Sequence, residues 1–256
     1  MIKGIDVSQH RGKIDWGKAK ADGVEFAIIR CGLGDDIKSQ DDTQFERNWA
    51  ECERLNIPHT VYLFSYGVTK EHIDSEVAHI KRLLDGKTVN APVYIDIENT
   101  NGLNWRTLAD DEMLTLMQYY YARLAELGYK MGIYSSRSAF WNEKMTDDWY
   151  ENVSKWVAEY GDKVNGFGRP YDMWQYSSSG NIEGISGRTD MNFMLNDIFF
   201  AQPSAPDYHD KINIYYKVRT AGRWLPEVRN LDDYAGIQGK PVTDVMIKVD
   251  KGSVKY

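Results

Sequence analysis

Residues 24–32 read VEFAIIRCG, a nearly unbroken apolar run of the kind that is buried on both faces of a sheet. Such a strand must be covered on each side, and the rest of the chain supplies the cover. Strand-like runs recur at 2–8 (IKGIDVS), 59–66 (HTVYLFSY), 92–98 (PVYIDIE) and 130–135 (KMGIYS), and helical patterns separate them. One helix over 16–23 ends at a glycine. A second carries Phe45, Trp49 and Cys52 on one side, and a third over 70–84 spaces Ile73, Val77, Ile80 and Leu84 at helical intervals. A fourth over 110–127 is closed by Gly128. Three more strand-like runs follow at 155–160, 171–176 and 188–193, with weaker helical signals between them. Residues 137–154 have room for a short helix, while 161–170 and 177–187 are rich in Gly, Ser and Asn.

Strands that alternate with helices imply parallel pairing through crossover connections. Eight such strands in roughly 200 residues predict an α/β fold, a (β/α)8-like barrel that is irregular in its final third. An open doubly wound sheet satisfies the same pattern. The barrel is expected over 1–200. Residues 201–210, AQPSAPDYHD, hold two of the seven prolines and read as a linker. Residues 211–256 are expected to form a small β-rich module around INIYYKV and DVMIKV. The chain stops at SVKY inside another strand-like run, so this module reads as truncated or as completed by a partner chain. Charge divides the chain as well. Residues 207–256 carry nine Lys and Arg against seven Asp and Glu, whereas the first 206 carry 22 against 31.

Several classes fall away. With 42% hydrophobic and 13% aromatic residues the chain is not a disordered one. No apolar run approaches the about 18 residues that span a bilayer, so no membrane insertion is expected. The N-terminus lacks the apolar core of a secretory signal peptide. A net charge of −7 argues against nucleic acid as partner. Cys31 and Cys52 are too few for a disulfide scaffold and read as reduced, buried thiols. No G-x-S-x-G elbow, phosphate-binding glycine loop or zinc motif is present.

Four acids remain at or near strand ends: Asp6 in GIDVS, Asp96 and Glu98 in YIDIEN, and Asp190 in RTDMNF. In a barrel of this type the C-terminal ends of the strands form the active site. On the fourth strand the side chains alternate, so Tyr94, Asp96 and Glu98 share one face and Val93, Ile95 and Ile97 the other. The apolar face should meet the helices, which leaves both carboxylates in the barrel mouth. Crowded, half-buried carboxylates raise one another's pKa, which suits a general acid. Aromatic residues also fall near strand ends: Tyr62, Phe64, Tyr66, Tyr134, Trp156, Tyr160, Trp174 and Tyr176. Rings of this kind pack on sugar faces, and a carboxylate pair among aromatics is what glycoside hydrolysis requires. Carboxylates alone can hold Mg2+ or Ca2+, but no cation-binding loop is present, and neither a metal nor a cofactor is expected. His10 could line the mouth, though a structural histidine is the plainer reading.

Five segments taken together resemble the glycoside hydrolase family 25 lysozymes over roughly residues 1–200. They are G-I-D-V-S-x-H-x-G-x-I-D-W at 4–16, YIDIE at 94–98, GIYSS at 132–136, WVAEY at 156–160 and MWQYSSSGNIEGISGRTDMNF at 173–193. The resemblance implies a (β/α)5β3 barrel and a β-1,4-N-acetylmuramidase acting on bacterial peptidoglycan. It implies Glu98 as general acid and Asp6, Asp96 and Asp190 as the other active-site carboxylates. Tyr62, Tyr134, Trp174 and Gln175 fall where the family lines its sugar groove. Leu63 departs from the pattern, since many members carry histidine there. Attack by a carboxylate, by water or by the substrate's own acetamido group all stay open. The alternatives in function are a non-catalytic wall-binding protein and a chitinase-like glycosidase, though the D-x-x-D-x-D-x-E pattern of the latter is missing. A wall hydrolase without a visible export signal fits a phage-type endolysin, held in the host cytoplasm until a holin releases it to the wall. Secretion by a non-classical route is the alternative. The mildly basic tail, with Trp224 in GRWLP, is expected to bind cell wall.

Overall fold

The apolar run that opened the reading becomes β2 (Phe26–Leu33), buried over almost its whole length. In the computed structural model, residues 1–98, 105–199, 213–229, 235–237 and 239–249 are described. The chain divides into two compact units, Met1–Gln202 and Pro203–Tyr256. The linker expected at 201–210 lies outside the described residues, as do 211–212, 230–234 and 250–256 of the small module, including SVKY.

The first unit is a closed barrel of eight strands in sequence order. With β2, they are β1 (Ile2–Val7), β3 (His59–Phe64), β4 (Val93–Ile97), β5 (Met131–Ser136), β6 (Ser154–Ala158), β7 (Met173–Gly180) and β8 (Thr189–Met194). Helices α1 (Trp16–Ala21), α2 (Phe45–Leu55), α3 (Lys70–Leu83) and α4 (Asp110–Glu126) follow the first four strands. Local chemistry sets their ends. Asp15 accepts from the Lys18 N–H at the start of α1, and Thr69 accepts from the His72 N–H at the start of α3. Asn56, in the left-handed region at φ 49°, ends α2. After β5 the described residues make only a π-helical turn at Arg137–Trp141 and a 3-10 turn at Asp148–Asn152.

The last strand does not follow the parallel pattern expected of all eight. The strands from β1 to β7 pair in parallel, but β8 runs antiparallel to both of its neighbours, β7 and β1. The reason is the connection. A parallel crossover takes a dozen or more residues, usually a helix, whereas β7 and β8 are joined by the eight residues 181–188 and form a hairpin. β7 also extends to Gly180, beyond the run read from the sequence.

Alternation along each strand separates two cores. Facing outward, Ile5, Val7, Ile29, Val61, Leu63, Ile95, Ile97, Ile133 and Val157 pack with the apolar sides of the helices. Facing inward, Phe26, Ile28, Tyr62, Tyr94, Tyr134, Trp156, Met173 and Met194 fill the barrel. This plug needs glycine to fit. A Cβ on Gly132 would stand 2.4 Å from the Tyr94 ring, and one on Gly4 would stand 2.4 Å from the Phe26 ring.

The second unit is a small antiparallel sheet, matching the β-rich module expected there. β9 (Ile214–Thr220) pairs with β10 (Arg223–Trp224), β11 (Val228–Arg229) and β12 (Val242–Val249). Val218, Thr220 and Val228 are its buried residues among those described, while Trp224 and most of β12 are exposed.

Overpacking a filled core costs about 1–3 kcal/mol. Gly132→Ala should therefore lower the melting midpoint of the barrel by several degrees. An unchanged midpoint would mean that the Tyr94 ring can move aside.

Candidate active site

At the mouth of the barrel the inward positions turn from apolar to acidic. Asp6 on β1 and Asp96 on β4 are both buried there. Glu98 lies one position beyond β4 and is exposed at the rim. Asp190, expected at or near the C-terminal end of a parallel strand, is the second residue of β8. Because β8 runs the other way, its beginning lies at the rim where the other strands end. Asp190 is the register partner of Asp6. The structure thus brings all four acids to one mouth.

Asp6 organises this mouth. Its Oδ2 accepts from Gln175 Nε2 on β7 at 2.9 Å and from Asn192 Nδ2 on β8 at 2.8 Å. The Trp156 indole N–H donates to Asn192 Oδ1 at 2.8 Å, and the Tyr134 hydroxyl donates to Gln175 Oε1 at 2.8 Å. An indole nitrogen can only donate, so the Asn192 oxygen must face Trp156 and its amide hydrogens must face Asp6. The two inward-facing rings are therefore donors that orient amides as well as parts of the core.

The electrostatics follow from burial. Asp6 is pushed up to about 7 by burial, with the Asp190 charge adding and the Asn192 and Gln175 hydrogen bonds opposing. Asp96 is raised well above the usual carboxylate range by burial and then by the charges of Glu98 and Asp6. Its Oδ1 is buried without a hydrogen-bond partner. Glu98 is raised too. The cleft wall removes part of its water and the Asp190 charge adds, with a contact to the Tyr134 hydroxyl oxygen opposing. Burial raises Asp190, and Arg11 opposes that shift from 3.6 Å away in the turn after β1.

A cleft of about 400 Å3 opens beside Glu98, lined by Tyr134, Ala139, Phe140, Glu159 and Tyr160. The π-helical turn after β5 supplies Ala139 and Phe140, a common place for such turns. Arg137 pairs with Glu159 at its edge, and Tyr160 is 60% exposed.

Of the aromatic candidates, Tyr62 and Tyr134 stand on the inward face, with Tyr134 4.4 Å from the Trp156 ring. Trp174 is not brought to the carboxylates. It lies on the face of β7 opposite Gln175, packs with Tyr176 and Phe193, and donates its indole N–H to the Glu159 carbonyl. Phe64 and Tyr66 pack on each other, and His10 is exposed in the turn after β1. Leu63 is fully buried in the outward core, so its departure from the family pattern changes packing and not the mouth.

The sequence reading missed Asn192, Arg11 and Arg30. Asn192 was within reach, since it stands two places after Asp190 and so shares its face. Arg30 faces inward on β2 and pairs with Asp42 at 2.8 Å, and nothing in its own segment signals that. Among the described residues no group of three or more His, Cys, Asp and Glu is arranged to hold a metal ion.

A barrel whose aromatic-lined mouth holds carboxylates in buried and exposed settings has the groups that glycoside hydrolysis requires. Comparison with known proteins narrows the class. The sequence profile of the glycosyl hydrolases family 25 matches residues 5–185, and the chain belongs to that family. It is 29% identical to lysozyme M1 of Streptomyces globisporus over 75% of this chain and 67% of that protein. It is 26% identical to the autolytic lysozyme of Clostridium acetobutylicum over 75% of this chain and 55% of that one. The chain thus spans about two thirds of the first of these relatives and little more than half of the second. Among solved structures, the modular autolysin LytC of Streptococcus pneumoniae in complex with a synthetic peptidoglycan ligand superposes with a TM-score of 0.65 at 28% identity. That match covers 74% of this chain and 46% of LytC. The lysozyme of Streptomyces coelicolor shares the fold, with a TM-score of 0.65 at 24% identity over 77% of this chain and 93% of that one. The chain is a glycoside hydrolase of the lysozyme family.

The shift of Asp6 has a sign that can be measured. Its value in the fold, about 7, lies above the ordinary 3.8. The folded state therefore holds the proton more tightly than the unfolded chain does. The stability this confers is complete below about pH 4 and is lost as pH rises towards 7. Between pH 4 and 8 the melting midpoint of Asp6→Asn should gain steadily on that of the native chain. A constant difference across that range would show that Asp6 is not shifted.

Proposed function

We propose that the enzyme is an N-acetylmuramidase that cleaves the β-1,4 bond between N-acetylmuramic acid and N-acetylglucosamine in peptidoglycan. Family membership supports this, as do two relatives named lysozymes and a similar autolysin solved with a synthetic peptidoglycan ligand. The observation that carries the assignment of roles is the split between two carboxylates on one strand face. Asp96 is buried, with one oxygen lacking a donor, while Glu98 stands at the exposed rim with its pKa raised. Glu98 is the group that can meet a glycosidic oxygen and still carry a proton for it, and we assign it as the general acid. The acetamido N–H of the substrate is a donor of the kind that Asp96 Oδ1 lacks. Asp96 would hold that group against the reacting carbon. Asp6, held by Gln175 and Asn192, would keep the mouth in register, and Asp190, tempered by Arg11, would position water.

We also propose that the second unit binds cell wall. Lys217 stands 5.4 Å from the Trp224 ring centre, and Arg223 lies beside it in sequence, which combines an aromatic surface with positive charge. Wall polymers that carry negative charge suit such a surface.

General acid catalysis contributes about 10²–10⁴-fold. Glu98→Gln should lower the release of reducing ends from cell walls by at least about a hundredfold, with the melting midpoint preserved. Near-native turnover would remove Glu98 from the role. Ending the chain at residue 202, the last of the first unit, should leave hydrolysis of soluble muropeptides nearly unchanged and weaken sedimentation with intact walls, most at low salt. Equal sedimentation of the shortened and full chains would refute wall binding by the second unit.

A further inference from the structure

Glu76, on α3 behind the barrel, is a fully buried carboxylate that the proposed reaction does not use. It has three donors. The Ser65 hydroxyl gives to its Oε2 at 2.7 Å, the Tyr120 hydroxyl gives to the same oxygen at 3.1 Å, and the Tyr66 N–H gives to Oε1 at 2.7 Å. Space is reserved for it, since a Cβ on Gly67 would stand 2.7 Å from Oε2. A buried carboxylate held this way is costly to disturb, because removing it leaves three donors without an acceptor.

Ser65 connects this carboxylate to the segment that carries Glu98. The Ser65 backbone N–H donates to the Asp96 carbonyl at 3.0 Å, just before Glu98. The Ser65 hydroxyl accepts from the Trp105 indole N–H at 3.3 Å, seven residues after Glu98. It also accepts from the Gly67 N–H at 3.2 Å. Once two donors point at this oxygen, its own hydrogen must be directed at Glu76. One serine thus holds the chain on both sides of Glu98, and Glu76 holds the serine. Trp105 is buried to 1% exposure, so its end of the bracket is anchored in the core. On the other side of β4, the Ser135 hydroxyl donates to the Ile97 carbonyl at 2.6 Å.

We propose that Glu76 and Ser65 are positioning residues that act through Glu98, setting where its carboxyl stands in the mouth. This inference rests on the assignment of Glu98 as general acid. A misplacement of about 1 Å at a reacting group can cost about 10²-fold in rate, so a clamp of this kind matters for turnover rather than for substrate affinity.

The test is a double-mutant cycle in the full chain, with kcat and KM measured on soluble muropeptides and the melting midpoint of every variant recorded. Ser65→Ala keeps the backbone bond to Asp96 and removes the hydroxyl that Glu76 and Trp105 share. Glu76→Gln replaces one of the two acceptor oxygens by a donor, which must face either the two hydroxyls or the Tyr66 N–H. Each should lower kcat by about 10- to 100-fold and leave KM within about threefold. Placed on Glu98→Gln, each should cause little further loss, because the group they position is already gone. Ser65→Ala carries the test if Glu76→Gln fails to fold. Losses that multiply on the Glu98→Gln background, or a change confined to KM, would overturn the clamp and leave the muramidase reading intact. Native turnover in Glu98→Gln alone would overturn both.

Discussion

A carboxylate placed among aromatic rings inside a barrel must be given donors or give up its charge. Asp6 is supplied through a chain that crosses most of the barrel. Its Oδ2 is reached by Gln175 of β7 and Asn192 of β8, and these are reached by Tyr134 of β5 and Trp156 of β6. One oxygen on β1 thus ties five of the eight strands together at the end where the mouth opens. Each bond along the way orients the next, and such networks hold a geometry more firmly than their separate bonds would. The cost appears in the raised pKa of Asp6, which two hydrogen bonds only partly offset. That residual cost marks a site rather than a stabilising core.

The outer surface of the barrel is divided as sharply as its inside. Around β1 to β4, helices bury the outward side chains, and a short clamp from α3 reaches the rim through Ser65. Among the described residues no helix follows β7 or β8, and Trp174, Tyr176 and Phe193 pack on one another over the outward face of the hairpin, the last two stacked with centres 4.5 Å apart. An apolar sheet face must be covered by some layer. Here aromatic side chains do what helices do elsewhere, which explains how a barrel can close with so few helices in its last third.

Much of this was legible in the sequence, and the part that was not has a physical reason. The apolar run of β2, the helical spacing in α3 and the alternation through Val93–Ile97 report local burial, and local burial is what decides those elements. The two faces of β4 fell as alternation requires, with Ile95 and Ile97 outward and Asp96 inward. The direction of β8 is a property of how a strand pairs, and pairing partners lie far apart in sequence. Asp190 was found by its motif but placed at the wrong end of its strand. Trp174 illustrates the opposite case, because its parity with Gln175 was visible yet an aromatic near a strand end suits a groove and an outer cover equally well. Glu76 left no signal at all. In sequence it is one more charged residue on a helix, and its burial depends on Ser65 and Tyr120 arriving from other elements.

The contrast between Asp96 and Glu98 follows from strand geometry. Two residues on one face of an extended chain are about 6.6 Å apart along it, at roughly 3.3 Å per residue. At the end of a barrel strand that step crosses from the packed layer to the rim. Asp96 sits at the depth of Tyr134, its register partner across β4 and β5, where the rings of the plug still exclude water. Glu98 stands one step higher, where the wall of the cleft shields one side and solvent reaches the other. The same side-chain chemistry is therefore held in two environments chiefly by depth in the mouth. Burial leads in both cases, and the neighbouring charges, Asp6 on Asp96 and Asp190 on Glu98, add to it. A rigid end to β4 is needed, because the distinction weakens as Glu98 settles towards the layer below. The serines that grip the Asp96 and Ile97 carbonyls stand where they prevent that.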